Sequence, residues 1–492
     1  MHRALLVSEV LQEIFSHLTK KKFLAALART SKSFYDTAMD LLWAEIYNID
    51  PLLGCVKRLH PMIYYGRPKY SSRSWSDGVE PLSKYEARQF LRHAARVRTL
   101  SIHGYHGTVP LLTPHYHFHL LSSLPIETCV FPRLLSLNWI VRHPDDKYLH
   151  LFLSPTLRHC HLLTIHCDLK SIARRCAALE SLSIVHSEVP MAAHDISVLS
   201  DTVRSCNRLV KLCCPLLDSA ALEYLSKLPT LVTMTINGFG TDNLLGRDNL
   251  NFAPFLNLAA LYLSLSTLHF VTATNFTTFI QHSEFPSLRE FKLQVLHDSY
   301  WAQAERIIGA LSQHKACQIL EHVEISFCDP EPLEYLGNPL PVIRQFLPFM
   351  QLRCLQLDVG PLYLDNDLLL EAMSSWPHIE YLHLEKSDYC EPAVTFRGLF
   401  AALRLCPHLH TLRILMDALF IDIDPKVESF QHPSLQNLHL SDSWIRDAEA
   451  VALIIFSMLP HVSEVTYSGY TGRNSLAWGE VNRRLRSFAQ AV

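Results

Sequence analysis

The sequence predicts an α/β repeat fold, with a short helical module at the N-terminus and a long array of strand–helix units behind it. Three observations point there. Leucine makes up about one residue in six and is spread over the whole chain instead of gathered in blocks. A unit of the form L-x-x-L-x-L returns again and again, usually after Phe-Pro, Leu-Pro or Cys-Pro. Inside the unit the last two apolar residues alternate as on a strand with one buried face, while the stretches between units follow helical spacing.

At 492 residues the chain would divide into several domains if it were globular, but a repeat array can use that length in one body. Hydrophobic residues are 49% and charged residues 18%, so core material is ample and nothing argues for general disorder. The formal charge is −3 and the basic residues are scattered, apart from pairs such as Arg174–Arg175 and Arg483–Arg484. That leaves no electrostatic footprint for nucleic acid. The 13 cysteines are irregularly spaced and often stand where a core aliphatic would, as at Cys214 and Cys354, which fits a reducing compartment. Met1 to Leu6 run straight into Glu9 and Glu13 without the apolar core of a signal peptide, and no apolar run reaches the roughly 18 residues of a membrane span. The expected setting is a soluble protein of the cytoplasm and/or nucleus, with no membrane and no nucleic-acid partner.

The helical module occupies residues 1–50. Leu6, Val10, Leu11, Ile14, Phe15 and Leu18 fall at helical spacing, with Ser8 placed to cap a helix that Glu9 and Gln12 open. A second stretch runs through Phe23, Leu24, Leu27 and Ala28, and a third through Phe34, Ala38, Leu41, Leu42 and Trp43. Three short helices lie near the size limit for independent folding, yet they carry an unusually wide apolar surface. Leu6-Val7-Ser8-Glu9-Val10-Leu11, then Ile14-Phe15-Ser16-His17-Leu18, then Leu24, Leu27, Ala28, Phe34 and Trp43 resemble an F-box. Val7 stands where that family normally has proline, and Ser31 where cysteine is frequent; valine lacks proline's fixed φ, so chain entry into the first helix is less constrained. The opening Met-His-Arg-Ala-Leu-Leu is similar to F-box proteins common in mushroom-forming fungi. The resemblance implies that Leu6, Val7, Val10, Ile14, Phe15, Leu18, Leu24, Leu27 and Trp43 meet a Skp-family adaptor, and through it the cullin core of an SCF-type ubiquitin ligase. The alternative is that these helices only cap the array, because a repeat array needs a polar-faced end.

Residues 51–82 read as a linker or long loop, since Pro61 to Pro81 is rich in Tyr, Ser, Arg, Gly and Pro without either period. The repeats fill residues 83–472. They are plainest in Leu288/Phe291/Leu293, Ile379/Leu382/Leu384 and Leu435/Leu438/Leu440, with weaker copies at Val97/Leu100/Ile102 and Leu320/Val323/Ile325. About fourteen units recur at intervals of roughly 22 to 37 residues, long for the 20–29 of a leucine-rich repeat, so helix-backed units are expected. One unit buries about three strand-side apolar groups worth roughly 5–9 kcal/mol, against about 1–2 kcal/mol of backbone entropy for each ordered residue. A single repeat cannot stand alone. Stacking supplies the missing burial, so the expected array is a curved leucine-rich-repeat solenoid with parallel strands inside and helices outside, closed by a capping helix over residues 473–492.

Catalytic signatures are missing from the sequence: there is no G-x-x-x-x-G-K-[ST], no G-x-S-x-G, no H-E-x-x-H and no C-x-x-C. Among the 28 histidines, His115, His117 and His119 would lie about 14 Å apart end to end on a strand, too far to share one zinc, and they read as solvated strand or loop residues. His159-Cys160-His161 reads the same way. Cys206, Cys213 and Cys214 read as core or turn thiols, because nothing places a base beside them. Asp365-Asn366-Asp367 begins like a calcium loop, but Leu370 stands where such a loop needs glycine, and a helix N-cap is the plainer account. No cofactor, metal or catalytic site is expected.

Where apolar strand residues face the core, the interleaved ones must face the concave side. These are Lys292 and Gln294, Glu324, Gln356 and Asp358, His383 and Glu385, Arg413, and His439 with Ser441, a series that tends to acidic between Glu324 and Glu385. A protein target is expected across it. Two functions follow: a substrate-recognition subunit of a ligase, or a non-ligase scaffold whose N-terminal helices only cap the solenoid.

Overall fold

The structure is a computed structural model that describes residues 7–65, 75–103, 116–125, 129–141, 145–163, 168–185, 193–238, 252–265, 268, 270–296, 301–327, 342–359, 362–386, 393–425, 427–440, 443–467 and 472–491. The chain forms two compact units, Met1–Leu217 and Asp218–Val492.

The first unit opens with three helices, α1 (Ser8–Ser16), α2 (Lys21–Thr30) and α3 (Lys32–Trp43). Phe15 meets Phe34 edge to face at 5.5 Å, and Leu11, Phe15, Leu24 and Ala38 form a small buried core ringed by Leu18, Leu27, Leu41 and Leu42. The N-cap of α1 is Val7, not Ser8: Ser8 is already helical and its hydroxyl turns to the Glu9 carboxylate. Ser31 caps α3 instead, accepting from the Ser33 N–H.

Next comes β1 (Glu45–Ile46), which pairs in parallel with β2 (Thr99–His103). Residues 51–82 read as a linker in the sequence, but the stretch from 50 to 65 folds. It forms α4 (Asp50–Leu53) and α5 (His60–Tyr64), and Leu52, Leu53, Val56 and Leu59 are buried. The apolar pairs Leu52–Leu53 and Val56–Leu59 outweigh the flanking turn residues. Then α6 (Lys84–Ala94) leads into β2. Its start is a capping box in which Ser83 accepts from the Glu86 N–H and Glu86 accepts from the Ser83 N–H. Arg58 also donates to Glu86 at 2.7 Å. This guanidinium, followed by the Ser83 bonds, holds the Glu86 carboxyl down to about 2. A folded-state value below the unfolded one adds stability that is full above the ordinary carboxylate range and is lost as pH falls towards 2. Glu86→Gln is therefore expected to cost about 1 kcal/mol at neutral pH in urea unfolding, with the gap to wild type closing between about pH 4.5 and 2.

The unit continues through β3 (Ser136–Ile140), β4 (His159–Leu162), α7 (Leu169–Arg175), β5 (Ser181–Ile184), α8 (Ala193–Ser205) and β6 (Lys211–Cys214), with each strand parallel to its predecessor. Leu100, Leu137, Cys160, Leu182 and Leu212 share one register row and are all buried. Behind β3 and β4 the backing is 3-10 rather than α-helical, over His117–Leu121 and Asp145–Leu151. Phe118, Phe131, Trp139 and Phe152 fill that space, with centroids 4.8 to 5.4 Å apart. His117 is part of this layer and is buried, contrary to the solvated position expected for it. Its ring packs on Trp75 at 4.3 Å, its Nδ1 lies 2.7 Å from the Ser76 hydroxyl, and its Nε2 lies 3.6 Å from Asp50. His115 lies outside the described residues.

The second unit repeats the plan with more helix: α9 (Ser219–Ser226), β7 (Thr233–Gly238), β8 (Ala260–Leu265), α10 (Phe270–Gln281), β9 (Glu290–Val295), α11 (Trp301–Gln313), β10 (His322–Phe327), β11 (Cys354–Val359), α12 (Asn366–Ser375), β12 (Tyr381–Lys386), α13 (Phe396–Leu403), β13 (Thr411–Ile414), β14 (Asn437–His439), α14 (Ala448–Met458), β15 (Val465–Thr466) and α15 (Gly472–Ala491). Strands β7 to β15 lie in chain order, all parallel. This is the leucine-rich-repeat fold that the periodicity predicts, within each unit.

One backbone feature sets the register in both units. The carbonyl just before a strand accepts two N–H groups from the start of the next: Ala44 from Arg98 and Thr99, Arg98 from Leu135 and Ser136, Arg289 from Glu321 and His322, Arg353 from Glu380 and Tyr381. Side chains add a second tie in the second unit, where His314 meets the Ser283 carbonyl, Trp376 donates to that of Phe346, and His432 meets that of Cys406. Beyond β15, the last strand among the described residues, Asn482 of α15 takes the place of a further rung. Its Oδ1 accepts from the Val465 N–H at 2.8 Å and its Nδ2 donates to the Val465 carbonyl at 2.9 Å, all buried. Asn482→Leu strips both buried groups of their partner at once. The expected loss is about 2–4 kcal/mol in urea unfolding, with Asn482→Gln intermediate.

Candidate functional site

Helix α1 has two apolar faces. Leu11 and Phe15 point into the small core, while Val7, Val10 and Ile14 fall on the opposite stripe and are 45%, 37% and 46% exposed. Phe23, at the start of α2, is 47% exposed and carries the Lys22 ammonium 5.3 Å above its ring. Lys20 and Lys21 flank it. An apolar stripe at i, i+3 and i+7 that the chain itself leaves open is what a groove-forming partner covers.

The sequence-predicted docking residues therefore separate. Val7, Val10 and Ile14 face outward together. Phe15 and Leu24 are buried and hold the three helices to one another, with Leu18 and Leu27 half-buried against them. Trp43 turns the other way and stacks on His93 of α6, with centroids 4.9 Å apart at 29°. Leu6 lies outside the described residues. Phe23 is a further exposed apolar side chain of this module; its helical spacing is visible in the sequence, but nothing there says on which side of α2 it falls.

Long-range ion pairs fix the module to the repeats that follow. Arg96, just before β2, donates to the carboxylates of Asp36, at 2.7 Å, and Asp40, and its guanidinium sits 6.0 Å over the Tyr35 ring. Arg133 reaches Asp40 at 3.4 Å. Burial disfavours the Arg96 charge, but the two aspartates more than offset this and raise its pKa. Residues some 56 to 60 positions apart carry no mutual signal in the sequence.

On the open face of the second-unit sheet, Tyr262, Lys292, Glu324, Gln356, His383, Arg413 and His439 form one row across neighbouring strands, and Gln294, Asp358 and Glu385 belong to the next. The predicted residues are thus neighbours. Their charge is not simply acidic, however. Lys292 lies 3.2 Å from Glu290 and 3.1 Å from Glu324 and sits 5.5 Å over the Tyr262 ring, while the Tyr262 hydroxyl donates to Glu290. Burial, then Glu290, pushes the Tyr262 phenol up to about 12. Arg353 similarly bridges Glu321 and Glu380. His383 is buried between its neighbours, and the side chain of Glu385 lies outside the described set.

Among the described residues no three His, Cys, Asp or Glu side chains converge to hold a metal. Burial raises the thiols of Cys206, to about 11, and of Cys214, and Asp365 caps α12 by accepting from the Leu368 N–H. Among the described residues no helix is long and apolar enough to cross a membrane.

Residues 8–49, which hold the three helices, Val10 and Ile14 of the exposed stripe, and β1, match the F-box-like family. This region is an F-box-like domain. No curated protein matches the chain. Solved structures similar to it include the TLR13–ssRNA13 complex, at 14% identity and TM-score 0.34, over 70% of this chain and 44% of that one. The yeast Rad7 and Elc1 complex is similar at 13% identity and TM-score 0.36, over 80% of this chain and 94% of that one. Human trophoblast glycoprotein is similar at 15% and 0.26, over 48% of this chain and 83% of that one. The matched region takes in the first strand of the sheet, and Ala44 supplies both the C-cap of α3 and the first rung carbonyl.

Proposed function

We propose that this chain is a substrate-recognition subunit of an SCF-type cullin-RING ubiquitin ligase. The F-box-like domain docks on a Skp-family adaptor, and the repeats hold a protein target. The observation that carries the reading is the match of residues 8–49 to the F-box-like family, on helices whose outer stripe of Val7, Val10 and Ile14 is left open. In this role the protein performs no chemistry and needs no cofactor. It raises the effective concentration of the target beside a ubiquitin-loaded enzyme, in the cytoplasm and/or nucleus.

A second reading is favoured by a different observation. Arg96, Arg133 and the Trp43–His93 stack bind the three helices to the first repeat, as a cap would be bound, which suits a scaffold acting outside any ligase. Co-purification of the full chain with a recombinant Skp-family adaptor separates the two. The first reading expects a stable one-to-one complex; a soluble, folded chain that ignores the adaptor leaves the scaffold.

A further inference from the structure

We infer that the edge of the second unit where β13 and β14 end is a docking surface for a cationic segment of a partner protein, anchored on Phe420 and Trp444. The inference stands independently of adaptor docking.

Because β7 to β15 are parallel and in chain order, the chain leaves each of these strands at one edge of the sheet. After β13 the repeat pattern breaks: the described residues from Leu415 to Phe430 contain no helix. Within this stretch Ala418 pairs with Ile445 in an isolated parallel bridge. Ala418 is fully buried and Ile445 half-buried, while large side chains beside and just beyond this bridge stay exposed. Leu419 is 48% exposed, Phe420 67% and Trp444 59%, three large apolar side chains on adjacent turns of one edge.

These side chains ride on a fixed frame. The Met416 N–H donates to the Ser443 hydroxyl at 2.9 Å, the Asp417 N–H to the Val394 carbonyl at 2.8 Å, and the Trp478 indole to the Ser443 carbonyl at 2.9 Å. Arg397 donates its backbone N–H to the Asp422 carboxylate and its guanidinium to the Asp422 carbonyl. Anchors held in place beforehand lose little entropy on binding, and aromatic residues in that state dominate interface energetics.

Charge selects the occupant. Asp417, Asp422 and Asp424 lie within four residues of Phe420 in the chain, and Asp365, which accepts from the Tyr363 hydroxyl at 3.2 Å, lies at the same edge beyond β11. Arg397, engaged by Asp422, Arg404, paired with Glu428 at 2.9 Å, and Arg446 are described cations of this region. The sequence carries the bias along the series. In residues 296–300, 328–341, 360–365, 387–395, 415–430 and 440–447, which follow β9 to β14, there are thirteen Asp and Glu against two Lys and Arg. On the open sheet face the balance is nearer even, with Lys292 and Arg353 each set between two glutamates. An apolar platform in a negative field fits a segment in which Lys or Arg flanks a large apolar side chain.

The test is selection of a phage-displayed random dodecapeptide library on the full chain, followed by titration of the enriched peptide in synthetic form. Enriched sequences are expected to pair Leu, Phe or Trp with Lys or Arg. Trp444→Ala with Phe420→Ser should weaken the synthetic peptide by about tenfold or more, and Asp417→Asn, which keeps an oxygen for the Leu419 N–H, by several-fold. The first variant alters exposed side chains and the second a half-buried one whose hydrogen bond is kept, so both should keep wild-type thermal unfolding, and a loss of binding is not a loss of fold. Affinity should also fall as salt rises. No enrichment, a consensus without basic residues, or a peptide indifferent to these variants overturns the inference. So does a wild-type dimer in solution that Trp444→Ala with Phe420→Ser renders monomeric, since a second copy would then be the occupant.

Discussion

A chain carrying Val10→Asp and Ile14→Asp is expected to fold as wild type does and to lose a Skp-family adaptor altogether in co-purification. Both residues lie on the outer stripe of α1, 37% and 46% exposed, and neither belongs to the core that Leu11, Phe15, Leu24 and Ala38 build. Two carboxylates there cost the isolated protein little, within about 0.5 kcal/mol each for exposed positions. Against an apolar groove each would have to be buried unpaired, at several kcal/mol, so the complex should weaken beyond detection. The control is Leu11→Asp, on the inner stripe, which should instead unfold the three helices. Unaltered adaptor capture by the double variant, measured beside an unaltered melting curve, would sink the docking assignment.

Gly398→Ala is expected to destabilise the chain by about 1–4 kcal/mol, although alanine is the better helix former by about 1 kcal/mol. Gly398 lies in the first turn of α13, and a Cβ there would overlap Asn366 Oδ1 and Cγ and stand 2.7 Å from its Cβ. Asn366 cannot simply move aside. Its Oδ1 accepts from the Thr395 N–H at 2.9 Å and its Nδ2 donates to the Thr395 hydroxyl at 3.1 Å, joining the starts of α12 and α13. Overpacking at about 1–3 kcal/mol and two strained hydrogen bonds at about 1 kcal/mol each outweigh the helix propensity. In an Asn366→Gly background the penalty should shrink by more than about 1 kcal/mol in a double-mutant cycle, because the obstacle is gone. Equal penalties in both backgrounds would show that Asn366 is not what alanine meets.

Much of this fold is legible in the sequence because its stabilising contacts are periodic. Rows such as Leu355, Leu382 and Leu412 follow from L-x-x-L-x-L alone, since strand alternation admits one assignment of faces. The same logic finds the three N-terminal helices. It fails where an element is too short to show a period, as in the two residues of β1, or where bulky aromatics stand in for a helix, as around Phe118 and Trp139. His117 is misread for a related reason: its partners Asp50 and Ser76 are 67 and 41 residues away, and burial created by distant segments leaves no local trace. In the docking stripe helical spacing lists the apolar residues of α1 without dividing them, so Phe15 and Ile14 look alike until the other helices are in place. The acidic edge beyond β13 is written openly as Asp417, Asp422 and Asp424, yet its meaning depends on knowing that every strand of that unit ends on the same side.

The paired acceptance by one carbonyl, from Ala44 onward, has a consequence for how such a chain can change over generations. Most strands take their alignment from the single peptide group that precedes their neighbour, and the ties made by the connecting stretches are local to one pair of repeats. Insertions and deletions between strands can then accumulate without shifting any downstream pairing, at a loop-closure cost that grows only with the logarithm of length. Unequal spacing of the repeats is compatible with one regular sheet for that reason, and a loop can be lengthened in one repeat while the strands of the others keep their places.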